Sequence, residues 1–514
     1  MSYAEALGLI MLVGMVAVIF IGFPISFTLL FLALICGGLG VGLGWERTFN
    51  LAYLQIWGTM KDEIFPAVPL FIFMGYMTEQ AGLMERLFGA LRSLLAPVRG
   101  SLYLAVILTA TIFAMATGIV GAAVTVLGIM AAPMMIRTGY DARLSAGAIA
   151  AGGTLGILVP PSVMLVVMGP TMGIPVNLLY SAAFGPGFLL AGCYILYTLI
   201  RSFMRPELGP PMTMDERKEA YDAMTTEKVG VGVLALGLFC LVIMIYLLAE
   251  LLFSQMGVPR LSIGAGPMEI SGAAAVPALL AAYPYIRNDY FRAVVLGIAP
   301  LSALIGFTLG TIVGGLATPT EAASCGAFGA TLLGLIYGRL NLKSLTNAAI
   351  GTMVTSSMVL LLAVASTVFG AIFTKLGSAN LITNYLLAVP VGDWWKLALI
   401  MSIFFILGWP FEWPVIILVF LPIALPVVEK LQLGLGKLDL LIWFGALTAV
   451  NMQTSYLSPP VAMSAYYLRN VVPQWRLSTI YKGMADYMVI QVIVLGLLLL
   501  YPQIALWLPN ATRN

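Results

Sequence analysis

An apolar run about as long as a membrane helix is interrupted in its middle by two consecutive prolines. The stretch is Gly152–Met164, GGTLGILVPPSVM. Pro160 and Pro161 lack the backbone N–H that a helix interior needs, and the residue before each proline is pushed away from helical geometry. A helix must therefore stop here. Non-helical backbone at membrane depth is tolerated only where protein buries it or where it lines a cavity. The break is thus a candidate binding site, and it has a partner: Leu457–Met463, LSPPVAM, repeats the pattern 299 residues later.

Composition fixes the class. Hydrophobic residues make up 61% of the chain and charged residues only 9%, where soluble proteins carry roughly 25% charge. Apolar runs of roughly 20 residues recur throughout, so the fold class is an all-α polytopic membrane protein embedded in the lipid bilayer. The runs are continuous, not alternating, which excludes a barrel. A net charge of +3, scattered along the chain, gives no reason to expect a nucleic-acid partner. With no histidine, a histidine metal site or proton relay is excluded. Cys36, Cys193, Cys240 and Cys325 stand singly in apolar stretches and read as free buried thiols. Leu7–Phe20 lacks a basic region before it and reads as a membrane segment, not a cleavable signal. No phosphate-binding GxxxxGK[ST] loop occurs, so ATP hydrolysis is unsupported.

In chain order, Ala4–Ile21 and Pro24–Leu43 read as membrane segments. Trp45–Glu63 carries Trp45, Phe49, Tyr53 and Trp57 at helical spacing and reads as an interfacial helix. Phe65–Thr78 is a short apolar helix, and Met84–Val98 a second interfacial arm. Ser101–Ile136 is apolar but interrupted by ATGIVGAA (Ala116–Ala123). It reads as one long helix, two spans, or a re-entrant hairpin with its tip at Thr117 and Gly118. Arg99, Arg137 and Arg143 on one cytoplasmic face favour the hairpin. Leu178–Ile200 returns, Arg205–Lys228 is a polar linker, Val229–Phe253 spans, and Ser254–Ile270 lies outside the membrane; Ser271–Arg292 is ambiguous.

A second half follows with matching landmarks. Pro319 opens ATPTEAA (Ala317–Ala323) as Pro24 opens a helix earlier. Trp394–Val428 is interrupted by LGWPFEWP (Leu407–Pro414) as Ser101–Ile136 was. Leu438–Leu457 leads to the second Pro-Pro, and Met484–Leu508 closes the chain as one segment. Pro24 to Pro319, Gly118 to Gly408 and Pro160 to Pro459 are offsets of 295, 290 and 299. With Arg469 and Arg476 cytoplasmic, the two breaks run in opposite directions. That is an inverted repeat, the build of secondary transporters whose site lies between discontinuous helices.

Half-helix N-termini offer unsatisfied N–H groups and a positive dipole end to a carboxylate. Carbonyls freed at Leu158, Val159, Leu457 and Ser458 are hard ligands for a cation such as Na⁺. Hydroxyls and amides of Thr117, Thr154, Ser162, Asn451, Thr454, Ser455 and Ser458 can complete such a shell, although a buried Ser or Thr is more often satisfied within its own helix. Asn451 is sharper, because an amide in an apolar span is costly. Intramembrane charge is functional by default, and here it comprises Glu321, Lys375 and Glu412. Glu321 is best read as a helix cap, Lys375 as a membrane-boundary marker with a substrate counter-charge as the alternative, and Glu412 equally as a cap or a ligand.

YDARLSAGAIAAGGTLGILVPPS (Tyr140–Ser162) resembles the signature of the large membrane subunit of tripartite ATP-independent periplasmic (TRAP) transporters. ATPTEAA, LGWPFEWPVIILVFLPIALPVV (Leu407–Val428) and SYLSPPVAM agree in the same order, so the resemblance spans nearly the whole chain. It implies an elevator-type, Na⁺-driven carrier of organic acids in the bacterial inner membrane, with no cofactor beyond the coupling ion and no catalytic residues. It implies two partners, a small four-helix membrane subunit and a periplasmic substrate-binding protein. It places cation sites at the tips and Pro-Pro loops: Thr117, Gly118 and Gly121 with Gly156, Leu158 and Pro160, and Gly408 and Glu412 with Leu457, Ser458 and Pro459; the intramembrane amide of Asn451 is a further candidate cation ligand. The substrate is expected against Thr117, Thr154, Ser162, Lys375, Trp409, Glu412 and Trp413. The first tip is poorer in serine than the family pattern, and Trp409 and Trp413 suggest an aromatic-lined cavity. The long insertions resemble the family's longer branch. The implied organisation is scaffold and arm over 1–98, transport elements over 99–200, a linker over 201–290, then scaffold over 291–392 and transport elements over 393–514. A stand-alone divalent-anion/Na⁺ symporter is the nearest alternative and an ion channel a more distant one.

Overall fold

A computed structural model describes residues 2–40, 44–212, 289–459 and 462–513. The expected Val229–Phe253 span, the Ser254–Ile270 segment, two thirds of Arg205–Lys228 and most of Ser271–Arg292 lie outside the described residues, as does Cys240. Within them every regular element is helical. The first half comprises α1 (Tyr3–Phe20), α2 (Ile25–Leu39), α3 (Gly44–Met60), α4 (Ala67–Gln80), α5 (Leu83–Leu95), α6 (Ser101–Thr117), α7 (Val120–Arg137), α8 (Ala142–Thr154), α9 (Val163–Met172) and α10 (Val176–Met204). The second comprises α11 (Asp289–Val313), α12 (Pro319–Ile336), α13 (Leu342–Lys375), α14 (Ser378–Ala388), α15 (Asp393–Leu407), α16 (Trp413–Val428, with a π-helical stretch at Ile416–Phe420), α17 (Lys437–Leu457), α18 (Met463–Val471), α19 (Leu477–Leu500) and α20 (Gln503–Thr512). Among the described residues six helices are long and apolar enough to cross a membrane, and the chain is a multi-pass membrane protein.

Helix starts follow their sequences. Ser2 and Glu5, Thr318 and Glu321, and Asn341 and Ser344 form reciprocal capping boxes, each satisfying two otherwise orphaned N–H groups. Glu321 is thus a cap. Asp141 accepts the Leu144 N–H at 2.8 Å to open α8. The aromatic stripe of α3 is exposed, with Trp45, Phe49, Tyr53 and Trp57 facing outward. The expected closing segment Met484–Leu508 is two helices, because Pro502 cannot extend α19. Cys36 is buried as expected, but Cys193 is half-buried and Cys325 exposed; α12 leaves that face open to its surroundings.

Both interrupted stretches fold as helical hairpins with their feet joined. The Leu102 N–H, near the start of α6, donates to the Tyr140 hydroxyl just beyond α7 at 3.4 Å. At the second hairpin Asp393, opening α15, accepts the Gln432 N–H at 2.8 Å from beyond α16, and Lys396 at 3.1 Å. In each case chain direction reverses at the tip.

Packing centres on two sets of helices, which also touch each other where α6 lies on α4 and α5. In one, α4 lies against α12 and α13, α13 also against α2 and α3, and α5 against α11. In the other, α8 is central in the first half and α17 in the second. The contacts between halves are reciprocal: α19 packs on α8 and α10 on α17, while α7 packs on α18 and α16 on α9. Each outgoing hairpin arm therefore embraces the broken helix of the other half. At the crossing the Thr154 hydroxyl donates to Gln453 Oε1 at 3.3 Å, a separation of 299 residues, the same offset as the two Pro-Pro breaks.

The α8–α19 contact is backbone to backbone. A Cβ on Gly147 would meet the Gly483 carbonyl oxygen at 2.7 Å, and one on Gly483 would be driven into the Arg143 carbonyl. Small residues permit this approach without a cavity. Gly483→Val is expected to lower stability by about 1–3 kcal/mol, the usual range for overpacking a rigid contact. A clear drop in the thermal midpoint of the detergent-solubilised protein checks this; an unchanged midpoint contradicts it.

Candidate functional site

The tips are shaped by residues that cannot continue a helix. α6 ends at Thr117, Gly118 takes the left-handed conformation (φ +60), and α7 starts at Val120. Glycine suits that position because a side chain there is strained. At the second tip α15 ends at Leu407, Pro410 sits in the turn, and Pro414 stands in the first turn of α16.

Each tip rests on the broken helix of its own half. A Cβ on Gly118 would lie 3.3 Å from the Val163 nitrogen and 3.9 Å from the Gly156 carbonyl oxygen. A Cβ on Gly408 would strike the Ser455 hydroxyl. The first tip also reaches the second half, since a Cβ on Gly121 would meet the Tyr467 ring at 3.0 Å.

These contacts surround a cavity of about 390 Å³. One wall is the two tips, through Gly118–Ala122 and Glu412–Pro414. Residues flanking the two breaks, Ile157 and Val163 in one half and Tyr456 and Tyr467 in the other, supply the floor. The rest of the lining includes α4, with Tyr76 and Glu79, and α13, with Thr355. Tyr76 and Thr355 are themselves hydrogen-bonded at 3.2 Å.

The expected site residues separate into three sets. Gly118, Gly121, Glu412 and Trp413 line the cavity. A second set lies behind it in the core. Thr154 is buried and donates to the Ala151 carbonyl at 2.8 Å; Ser162 is buried and donates to the Ile157 carbonyl at 2.6 Å. Each hydroxyl thus has a backbone carbonyl close by, the common state of a buried helical Ser or Thr, and the single Thr154 hydroxyl hydrogen is shared between Ala151 and the longer contact to Gln453. Gly156, Leu158, Pro160, Gly408, Asn451, Leu457 and Ser458 also sit behind the lining; the Ser458 carbonyl already accepts the Ala462 N–H at 3.1 Å. The Thr117 side chain lies outside the described atoms.

The third set lies away from the cavity. Lys375 is exposed at the last position of α13, about 24 Å along the helix from Val359 at about 1.5 Å per residue. It does not meet the cavity, and its counter-charge reading is corrected to that of a helix-end residue. Trp409 is 40% exposed and stacks edge-on against Phe405, so of the two tryptophans only Trp413 faces inward. Pro459 is exposed.

Two hard oxygens stand out beside the second tip. Asn451 is fully buried, and its Nδ2 donates to the Met401 carbonyl at 2.7 Å, but Oδ1 has no partner. One turn on, the Ser455 hydroxyl is also buried without a partner. Unpaired buried acceptors are rare and costly. At the 299-residue offset the first half has Gly152 and Gly156 at these positions, so only backbone oxygen is available there. Among the described residues no cluster of three His, Cys, Asp or Glu side chains forms a metal site. An alkali cation held by amide, hydroxyl and carbonyl oxygen fits these donors.

Glu79, Tyr76, Tyr456 and Tyr467 escaped sequence reading. Glu79 ends an apolar helix, at the edge of the segment read as Phe65–Thr78, and an ionisable residue there was the available signal. Nothing in the tyrosines' spacing marked them.

The pattern that defines the tripartite ATP-independent periplasmic transporter DctM component matches residues 12–504. The chain is 25% identical to the sialic acid TRAP transporter large permease protein SiaM of Vibrio cholerae, over 97% of each chain. It is 23% identical to the C4-dicarboxylate TRAP transporter large permease protein DctM of Pseudomonas aeruginosa, over 89% of this chain and 88% of that one. The solved YdaH transporter of Alcanivorax borkumensis is similar in fold, with a TM-score of 0.54 at 15% identity over 93% of this chain and 96% of that one. With its paired helix breaks around one cavity, this chain belongs to the DctM-component family, the large permease subunits of TRAP transporters.

Proposed function

We propose that this subunit carries an organic acid into the cell by Na⁺-coupled secondary transport. The two hairpins are re-entrant, the halves are inverted in the membrane, and α6–α10 with α15–α20 move as an elevator against the remaining helices. A small membrane subunit and a periplasmic binding protein complete the system, as the family implies. The relatives named above take sialic acid and C4-dicarboxylates, both carboxylates, and an organic acid is the corresponding substrate class here.

The observation that carries this reading is convergence. Two tips, two helix breaks and a static-looking wall of α4 and α13 meet at one cavity. A substrate there touches both helix groups, as a carrier requires and a continuous pore does not. The unpaired Asn451 Oδ1 and Ser455 hydroxyl supply cation ligands at the second tip. The backbone of Gly156 and its neighbours, against Gly118, does so at the first. Ordering a tip by Na⁺ before substrate enters couples the two by linkage.

The test is reconstitution of the complete complex in proteoliposomes with its binding protein. Uptake is expected only with an inward Na⁺ gradient and only with the binding protein present. Uptake that persists without Na⁺ removes the coupling; uptake without the binding protein favours the stand-alone symporter; single-channel conductance favours a channel.

A further inference from the structure

The cavity has two chemical poles. Helix N-termini make one: α7 begins at Val120 and α9 at Val163, and both residues line the space. Neither start carries a side-chain cap bond. Their first-turn N–H groups and dipoles present positive potential to a ligand. An acid's carboxylate finds its partners there.

The other pole is acidic and aromatic. Glu79 from α4 and Glu412 from the second tip line the same cavity, and no Lys or Arg is among the lining residues. Glu79 Oε2 is buried and has no hydrogen-bond partner among the described residues. Glu412 stands at the N-cap of α16 yet makes no cap bond, which leaves its carboxylate to the cavity. Four aromatic side chains, Tyr76, Trp413, Tyr456 and Tyr467, line the same space. Carboxylates beside electron-rich ring faces form the usual receptor for an ammonium or quaternary nitrogen. For a purely anionic solute this wall is repulsive.

We propose that the substrate is a zwitterionic organic acid. Its carboxylate is held by the helix N-termini of the first tip and first break, and its cationic nitrogen by Glu79, Glu412 and the surrounding rings. Glu79 and Glu412 thereby become specificity-determining residues. This rests on the cavity being the substrate site of the proposed carrier, and it narrows the organic acid to one bearing a fixed or protonated positive nitrogen. Na⁺ bound at Asn451 and Ser455 serves coupling and does not replace the nitrogen.

Matched probe pairs test it. Glycine betaine and 3,3-dimethylbutanoate share a shape and differ in the charge at one atom; phenylalanine and 3-phenylpropanoate differ by one ammonium. Binding to the full-length chain with its small subunit in nanodiscs, at saturating Na⁺, is measured by calorimetry. The nitrogen-bearing member of at least one pair is expected to bind tenfold or more tighter. In Glu79→Gln and Glu412→Gln that preference is expected to shrink at least threefold, while the size-exclusion profile and helical circular-dichroism spectrum stay native and show that the variants are folded. Equal or tighter binding of the nitrogen-free member, a preference untouched in both variants, or no binding by either pair overturns the proposal. Na⁺-driven uptake of the binding protein's own ligand is recorded in parallel. If that uptake persists while the probes fail, the carrier reading stands and the zwitterion assignment falls; if it is absent, the carrier reading itself fails.

Discussion

Gly118→Leu is expected to reduce Na⁺-driven uptake by tenfold or more while the protein still inserts and purifies. Two costs combine. A non-glycine residue held at φ +60 is strained by about 1–2 kcal/mol. Its Cβ must also fit 3.3 Å from the Val163 nitrogen and 3.4 Å from a Val163 methyl. The tip then lifts from the first break, away from the Val163 nitrogen and the Gly156 carbonyl. Gly139→Leu is the control. Gly139 has a similar backbone conformation, φ +73, but open space around the missing side chain. Comparable strain at a surface turn should leave uptake near the native level. If Gly118→Leu transports like the native protein, the first tip has no role in holding ions or solute.

Asn451→Ala is expected to raise the Na⁺ concentration for half-maximal uptake at least tenfold. The amide is fully buried and its donor is engaged with the Met401 carbonyl, so Oδ1 is held in place with nothing to accept. A tenfold loss corresponds to about 1.4 kcal/mol, a reasonable value for one good oxygen ligand. Loss of the Met401 hydrogen bond contributes about 1 kcal/mol to stability on its own, so the thermal midpoint without Na⁺ must be measured alongside. Ser455→Ala should shift the Na⁺ dependence in the same direction, and the double variant should fall short of additivity if both oxygens hold one ion. Two independent, additive effects, or an unchanged Na⁺ dependence, would show that these oxygens are only structural.

Much of this architecture was legible because proline and glycine act locally. Pro160 and Pro161 stop α8's path whatever surrounds them, and ATGIVGAA and LGWPFEWP interrupt helices for similarly local reasons. The capping role of Glu321 was readable from TPTE alone. Tertiary facts were not. Lys375 looked informative in a sequence with few charges, yet the length of α13 carries it far from the cavity. Thr154 and Ser162 lie beside the first break but turn their hydroxyls to backbone carbonyls, and which way a helix face turns depends on its neighbours. Conversely Glu79 reaches the site only because α4 packs on α6, α12 and α13, with Tyr76 hydrogen-bonded to Thr355, 279 residues away, contacts that no local pattern records. Of the two tryptophans near the second tip, one points in and the other out, a matter of rotation about a helix end that spacing alone did not settle.

The reciprocal embrace of the two halves bears on biosynthesis. The arm α7 finds its partner α18 only after the ribosome has made more than 300 further residues, and α8 waits as long for α19. A nascent N-terminal half in the lipid therefore holds open seams where Gly147 and Gly128 expect neighbours. Completion is necessarily late, and a chain cut between residues 213 and 288 should recover transport only when both fragments are made in the same cell.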